Sequence, residues 1–320
     1  MKRLALLFSL LAAALFVIPP SSASGTGTNG RIVFARSDPE VDDNFTYIVG
    51  SDGSVQPLFS EYPSSAPHWS PDGTRVAVVS GLGQACSPTS CTGNTVIIDP
   101  TDGSWRALPP VGMPEVGTWC SLWSPDGTRF ACEGGNDNDT SVNGIYAIRS
   151  SDGGDLTRIT HAHGMADVPI AWSPDGDQIV FGRWDFGECS KRSAIYVVNV
   201  DGSNLHRITP WGFCDNHGDW SDDGRWIVFA SPHGFVFVVH PDGSGLRKIP
   251  LDTAGRAYAG DVSWSPDGSR LVMLLTAPTG DGARDYHEGI ATARPDGTHV
   301  RFRTESPTFD HEPDWGAAPG

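Results

Sequence analysis

One pentapeptide, Trp-Ser-Pro-Asp-Gly, recurs along the chain and constrains the fold more than any other feature. The tryptophans that begin it, or a variant or shortened form of it, are Trp69, Trp123, Trp172, Trp220, Trp264 and Trp315. The steps between them are 54, 49, 48, 44 and 51 residues. A repeat of about 40 to 50 residues is typical of one four-stranded blade of a β-propeller. The sequence therefore predicts a ring of similar β units.

Each unit has the same internal order. The pentapeptide leads into an apolar strand such as residues 76–79, then a variable loop, a β-branched strand such as 96–98, and an Asp-Gly turn such as 102–103. Proline presets φ for the turn and glycine accepts the positive φ that ends it, so we predict a hairpin at each pentapeptide. The aspartate is then a turn residue, and the six tryptophans are predicted to be wedges between blades.

The two ends of the chain each hold part of a unit. Residues 30–35 resemble a second strand without a first, residues 47–49 resemble a third, and residues 311–315 supply only a first strand. Pairing the C-terminal strand with the N-terminal strands completes one blade and removes an exposed sheet edge. The predicted fold class is all-β: a closed six-bladed β-propeller of four-stranded antiparallel blades.

The first residues have the layout of a secretory signal peptide. Lys2 and Arg3 precede an apolar run over residues 4–18, and small residues follow it. The alternative, a transmembrane anchor, needs a longer run. We expect a signal peptide at 1–23, a flexible spacer at 24–29, the propeller at 30–316 and a tail at 317–320. The mature chain is expected to lack a transmembrane segment and to lie in the periplasm, the cell envelope or outside the cell.

The repeated pentapeptide, followed by an apolar strand and an Asp-Gly turn, resembles the TolB-type propeller family of exported bacterial proteins. The resemblance covers residues 30–316. It implies an envelope or secreted protein whose propeller binds other molecules. TolB carries an additional α/β domain before its propeller, which we expect to be lacking here. The same repeat also occurs in sugar-lyase and peptidase-associated propellers, so it predicts the fold better than the function.

Six cysteines in an exported chain favour disulfides, although six allow 15 connectivities. A zinc site is the alternative, but the chain has no C-x-x-C pair. Spacing favours pairing Cys86 with Cys91 and Cys120 with Cys132. The two remaining cysteines, Cys189 and Cys214, form the third expected pair.

The chain has 38 acidic residues against 22 lysines and arginines, a net charge of −16. Such a chain repels a phosphate backbone, so nucleic acid is not an expected partner. Acidic residues outside the turns, with five of the ten histidines, are predicted on the face that carries the variable loops and blade links. They form either a solvated surface or a cation site at the channel mouth.

Carboxylates suit calcium, and histidine with carboxylate suits a transition metal. The loop from residue 137 resembles the start of a calcium loop but lacks glycine at the sixth position and glutamate at the twelfth. The metal candidates are His217, Asp219, His311, Asp314, Asp137 and Asp139.

Aromatic residues on the same face suggest a second kind of site. A Cys189–Cys214 bond would clamp Trp184 and Trp211 together as a rigid lip that could stack on a sugar or anchor a peptide. The alternative is that these loop side chains cover the edge of the ring. The ligand candidates are Trp119, Trp184, Trp211, His163, Asp167 and Asp215.

No nucleophile elbow, H-E-x-x-H or phosphate loop is present. We therefore expect an exported, monomeric, non-catalytic scaffold that recruits a protein, a peptide or an envelope glycan through its variable-loop face. No cofactor is expected to be required, beyond a divalent cation such as calcium if the acidic loops bind one. The alternatives are a metal-dependent lyase or hydrolase of extracellular acidic polysaccharide, and a purely structural array.

Overall fold

The computed structural model describes residues 27–320 except 51, 83–85, 88–89, 92, 110–115, 137, 163, 186–191, 214–216, 279–285 and 306–307. The described chain folds into six four-stranded antiparallel sheets. Blade 1 combines β26 (Asp310–Ala317) with β1 (Asn29–Asp38), β2 (Asp43–Val49) and β3 (Val55–Phe59). Blade 2 contains β4 (Ser64–Trp69), β5 (Val76–Ser80), β8 (Asn94–Ile98) and β9 (Trp105–Ala107), with a small ladder of β6 (Cys86–Ser87) and β7 (Ser90–Cys91) in its loop.

The other four blades use consecutive strands. Blade 3 is β10 (Gly117–Trp123), β11 (Arg129–Gly135), β12 (Gly144–Arg149) and β13 (Thr157–Arg158), with a 3-10 turn at Thr140–Val142. Blade 4 is β14 (Ala166–Trp172), β15 (Gln178–Trp184), β16 (Ala194–Asn199) and β17 (His206–Arg207). Blade 5 is β18 (Gly218–Trp220), β19 (Ile227–Ala230), β20 (Val236–Val239) and β21 (Arg247–Lys248). Blade 6 is β22 (Tyr258–Trp264), β23 (Leu271–Pro278), β24 (Tyr286–Ala293) and β25 (Arg301–Phe302).

The predicted six-bladed ring and its closure are confirmed. β26 pairs antiparallel with β1, placing Trp315 opposite Ile32 and Asp314 opposite Val33. The chain ends therefore meet inside one sheet. None of the described segments forms a helix long and apolar enough to cross a membrane.

The pentapeptide makes the hairpin between the first and second strands, as predicted. In blade 2, the Ser70 N–H donates to the Arg75 carbonyl at 2.8 Å and the Gly73 N–H donates to the Ser70 carbonyl at 2.9 Å. Gly73 has φ +67°, which favours glycine. The Asp72 carboxylate accepts from the Ser70 hydroxyl and the Thr74 N–H, so its oxygens hold the turn together.

The hydrophobic core lies between blades rather than in one centre. Each pair of neighbouring blades in the described chain shares one cluster of buried apolar side chains. The repeat tryptophans each join the cluster between their own blade and the preceding one; Trp69, for example, packs with Ile48 of blade 1 and Val76 of blade 2. The wedge role predicted for these tryptophans agrees with this packing.

Two of the predicted cysteine pairs fall on described backbone. Cys120 and Cys132 face each other across β10 and β11 and form a disulfide with an Sγ–Sγ distance of 2.08 Å. Cys86 and Cys91 lie opposite each other in the small ladder of blade 2. Cys189 and Cys214 lie outside the described residues. A disulfide fits an exported protein.

Candidate functional site

The first strand of each blade lines a central channel. Two positions recur, one and three residues before the repeat tryptophan. The six residues three before it are Ala66, Cys120, Pro169, His217, Asp261 and Glu312. The six residues one before it are His68, Leu122, Ala171, Asp219, Ser263 and Asp314. Cys120 and Ala171 instead pack in the core between blades. The first strands of blades 5, 6, 1 and 2 therefore supply the polar channel residues, while Leu122 and Pro169 make the lining of blades 3 and 4 more apolar.

Three channel strands contain an irregularity that turns the backbone toward a neighbouring carboxylate. Ala66, Asp261 and Glu312 have φ of 48°, 48° and 53°, and each sits where the pairing register shifts. The Ala66 N–H donates to Glu312 Oε2 at 2.6 Å, and the Glu312 N–H donates to Asp261 Oδ2 at 2.9 Å. A carboxylate on one blade thus satisfies a bulged amide on the next.

A second set of carboxylates repeats this contact one step along the channel. Asp314 of blade 1 accepts from the Trp69 N–H of blade 2 at 2.7 Å. Asp219 of blade 5 accepts from the Trp264 N–H of blade 6 at 2.9 Å. The channel carboxylates therefore tie successive blades together as well as lining the channel.

His217 lies between two carboxylates in the polar part of the channel. Its Nδ1 lies 2.9 Å from Asp261 Oδ1 and its Nε2 lies 3.5 Å from Glu312 Oε1. Burial disfavours the imidazolium, but the two carboxylates outweigh it and raise the pKa of His217 well above its ordinary value. Burial likewise opposes ionisation of Asp261, yet the charge of His217 lowers the Asp261 pKa to about 2. This part of the channel holds one cation between two anions.

The carboxylates outside this network behave differently. Burial raises the pKa of Asp219 to about 8 and also raises the pKa of Asp314. Burial lowers the pKa of His68, against the attraction of Asp314. Asp219 therefore keeps its proton at neutral pH, which limits the negative charge in the channel.

Two connected cavities occupy the channel. One of about 150 Å³ is lined by the polar residues above together with Leu122, Pro169 and Trp123. The other, of about 210 Å³, shares His68, His217 and Glu312 with the first. It also includes Trp119 and Glu133, which lie toward the variable-loop ends of β10 and β11. The channel is thus accessible from the variable-loop face.

Glu133 differs from the other channel acids of the described chain because no hydrogen bond or ion pair holds it. It lies directly opposite Trp119 in the ladder between β10 and β11. Burial, and then the negative charge of Asp167, raise the pKa of Glu133 to about 7. A carboxyl group with that pKa changes its charge near neutral pH.

Two matching ion pairs join first and second strands in opposite blades, near the variable-loop ends of those strands. In blade 4, Arg183 Nε and Nη2 contact Asp167 Oδ1 and Oδ2 at 2.6 and 2.7 Å. In blade 1, Arg36 Nε and Nη2 contact Asp310 Oδ1 and Oδ2 at 2.6 and 2.9 Å. Both aspartates are buried, and both guanidinium groups lie over aromatic rings of their own blade. Such bidentate pairs are strong and geometrically specific.

The predicted ligand residues are placed as follows. Trp119 lines the channel cavity, whereas Asp167 is occupied by Arg183. Trp184 ends β15 and is half-buried, and Trp211 is exposed in the link between blades 4 and 5, with Arg207 Cζ 4.2 Å from its ring centre. His163 and Asp215 lie outside the described residues, and so does the predicted clamp between Cys189 and Cys214.

The predicted metal residues do not come together as one group. His217 contacts Asp261 and Glu312, while Asp219 contacts backbone amides. His217 lies three residues before its repeat tryptophan, and the residue at the same position before Trp315 is Glu312, not His311. The Nε2 atom of His311 lies 3.1 Å from Asn44 Oδ1. Asp139 caps the 3-10 turn, and Asp137 lies outside the described residues. Over the described residues, no group of three or more His, Cys, Asp or Glu side chains has an arrangement that could hold a metal ion.

Sequence reasoning did not select four channel residues: His68, Glu133, Asp261 and Glu312. Three of them carry a signal that was available, because they occupy fixed positions before a repeat tryptophan. Glu133 carries no such signal, since only the register of β10 with β11 places it beside Trp119.

The comparisons with known proteins agree with the repeat and the fold. No protein-family model matches the chain. An uncharacterized protein of Agrobacterium fabrum is 33% identical over 172 residues, which cover 49% of this chain and 54% of that protein. The Tol-Pal system protein TolB of Francisella tularensis is 28% identical over 101 residues, covering 31% of this chain and 23% of TolB. The chain thus spans about half the length of the first relative and about a quarter of the second.

Solved structures extend the similarity to almost the whole chain. A structure assigned as TolB from Agrobacterium tumefaciens has a TM-score of 0.61 at 20% identity, covering 89% of this chain and 92% of that one. TolB from Acinetobacter baumannii has a TM-score of 0.64 at 20% identity, covering 90% and 66%. An oligogalacturonate lyase in complex with manganese has a TM-score of 0.52 at 15% identity, covering 88% and 74%. The predicted resemblance to TolB-like propellers is therefore confirmed at the level of the fold.

Proposed function

We propose that this protein is an exported, non-catalytic binding scaffold that captures a segment of another protein on its variable-loop face, at the mouth of the channel. The proposal is supported first by the similarity to TolB propellers in fold and repeat sequence. It is supported most by the distribution of exposed apolar side chains, which is strongly unequal between the two faces.

Strand direction assigns each exposed side chain to a face. Turns between first and second strands, and between third and fourth, share one face; the other loops and the blade links share the variable-loop face. Of the seven large apolar side chains exposed in the described chain, only Leu205 lies on the turn face. The other six are Val41, Tyr62, Trp211, Tyr258, Tyr286 and Phe309. Exposed aromatic residues that share one face are typical anchors of a protein interface.

The two faces also differ in their free polar groups. On the turn face, aspartates such as Asp72 and Asp126 are occupied by the hydroxyls and amides of their own turns. On the variable-loop face, the cavity with Trp119 and Glu133 is open to a ligand. A partner would therefore gain more from the variable-loop face than from the turn face.

A pair of matched variants tests the proposal. The purified protein, immobilised through its C-terminus, is used to capture partners from an envelope extract of its host cell. We expect the double variant W211A/Y286A to retain about tenfold less of the captured protein than the wild type, because the two substitutions remove two exposed anchors. Leu205→Ala, which removes an exposed apolar residue from the turn face, should retain as much as the wild type. Equal retention by all three proteins would contradict the choice of face.

A metal-dependent lyase or hydrolase of acidic polysaccharide is the alternative activity. The fold similarity to an oligogalacturonate lyase is the observation that favours it. The two ionised carboxylates Asp261 and Glu312 oppose it, because with the single positive charge of His217 they leave a net negative charge that repels a polyuronate chain. Turnover of polygalacturonate that is lost on adding a chelator would support the lyase and contradict the scaffold.

A further inference from the structure

We propose that the cavity at the channel mouth is a site for one organic cation, a lysine ammonium or an arginine guanidinium, held between the Trp119 ring and the Glu133 carboxylate. The inference rests on the proposed function, since the cation would be a side chain of the captured segment.

The ladder between β10 and β11 sets up the two recognising groups. Trp119 and Glu133 are direct partners in this ladder, so their side chains project from the same face of the sheet. Both line the cavity of about 210 Å³. A Cβ added at Gly93 would lie 3.0 Å from Trp119 Cδ1, so the edge of the indole ring packs closely against Gly93. A cation is attracted to the face of such a ring and to the carboxylate beside it.

Glu133 is the available acid because its neighbours are already occupied. Asp167 is held by both arms of the Arg183 guanidinium. Glu312 is held by the Ala66 N–H and by His217. Glu133 has no hydrogen bond or ion pair to any described residue, although burial penalises its charge. A bound cation would supply the missing partner.

Apolar residues of the same cavity suit the rest of a lysine or arginine side chain. They are Leu122 of β10, and Val168 and Pro169 of β14 in the adjoining blade. Long cationic side chains bury their methylene stems along apolar surface while the charged end reaches a polar partner. An anionic ligand would instead face Glu133 and Glu312, so the site discriminates by charge as well as by shape.

The groups that face Glu133 from the surrounding strands make its ionisation the main pH-dependent step. Asp167 is paired with Arg183, and Glu312 is ionised beside the protonated His217. His68 lines the same cavity, but burial lowers its pKa and keeps it neutral, and Asp219 lines only the other cavity. Since only ionised Glu133 attracts the cation, affinity should fall as pH falls below about 7.

Small probes test the site without the partner. Nα-acetyl-L-lysinamide and the uncharged Nα-acetyl-L-norleucinamide are titrated into the full protein and followed by NMR. We expect the lysine probe to bind at pH 8, at least tenfold more tightly than the norleucine probe, and to lose at least tenfold in affinity at pH 5. Glu133→Gln should remove both the preference and the pH dependence, and Trp119→Leu should weaken binding severalfold. Glu40→Gln, which changes an exposed acid on the same face outside the cavity, should bind like the wild type.

Each other outcome has a definite meaning. Equal binding of the two probes, or full affinity and pH dependence in Glu133→Gln, would overturn the cation site. If the lysine probe does not bind while W211A/Y286A still loses the partner, the cation site is wrong and the scaffold stands. A second readout needs no variant: saturation with the lysine probe should lower the titration midpoint of the Glu133 carboxyl in the wild-type protein, and an unchanged midpoint would also overturn the site.

Discussion

At the scale of single residues, the channel shows how partners decide the charge of a carboxyl group. Glu312 and Glu133 line the same cavity. Burial opposes ionisation of both, but the hydrogen bond and charge of His217 outweigh it at Glu312 and lower that pKa. Glu133 has no such partner, and its pKa is raised to about 7. The Glu312 carboxyl is therefore ionised at neutral pH, while the Glu133 carboxyl changes its charge there.

Glu133 is expected to make the protein less stable as pH rises. Its pKa is about 7 when folded and is taken as 4.5 when unfolded, so the folded state holds a proton that the unfolded chain releases over that window. The loss of stability between pH 4.5 and 7 should reach about 2 kcal/mol, since the partial exposure of Glu133 to solvent reduces the full effect of the shift. Urea unfolding at pH 5 and pH 8 should show Glu133→Gln gaining about that much over the wild type at pH 8 only. A gain of the same size at both values would show that the Glu133 carboxyl is not shifted, and Glu40→Gln provides the control.

At the scale of elements, two bidentate pairs attach first strands to second strands in opposite blades. Arg183 joins β15 to β14, which are connected by a hairpin. Arg36 joins β1 to β26, which lie at opposite ends of the chain. The same contact therefore reinforces a local hairpin in blade 4 and the closure of the ring in blade 1.

The two arginines give a matched pair of variants. Removing either leaves a buried aspartate without its partner, so Arg36→Met and Arg183→Met should each cost about 3 kcal/mol of unfolding free energy. Amide hydrogen exchange should distinguish the two variants. Arg36→Met should speed exchange in β26 more than in β14, and Arg183→Met should do the reverse. The same pattern of exchange in both variants would contradict a specific role for Arg36 in closure.

At the scale of the whole molecule, the ring is held by a cluster of apolar residues at each junction between blades. The junction between blades 6 and 1 contains Phe34, Val272 and Ile290, together with the partly buried Trp315. Trp315 reaches this junction on β26, a strand that returns from the far end of the chain. Without β26, the inner edge of β1 and this cluster would be exposed.

Truncation should therefore open the ring. Deleting residues 310–320 removes β26, including the carboxylates that accept from Ala66 and Trp69. We expect loss of a single cooperative urea transition and an increase in aggregated species on size exclusion. Deleting only residues 319–320 removes no strand residue and should change neither measurement. A cooperative transition at the wild-type midpoint after the larger deletion would show that closure contributes little to stability.

The sequence alone determined the repeat and the blade number, because both rest on local chemistry, and the two incomplete units at the chain ends then predicted the closure. The turn needs proline and glycine within five residues, and the tryptophan wedge contacts only the adjoining blade. The hairpin spacing of Cys120 and Cys132 is likewise local, so their pairing could be anticipated. Only the tertiary structure decided which side chains meet in the channel. Glu312 and the Ala66 amide are 246 residues apart, and bulges in the channel strands shift which residue points inward. Such contacts depend on how the blades are placed relative to one another, and the sequence pattern of a single repeat does not contain that information.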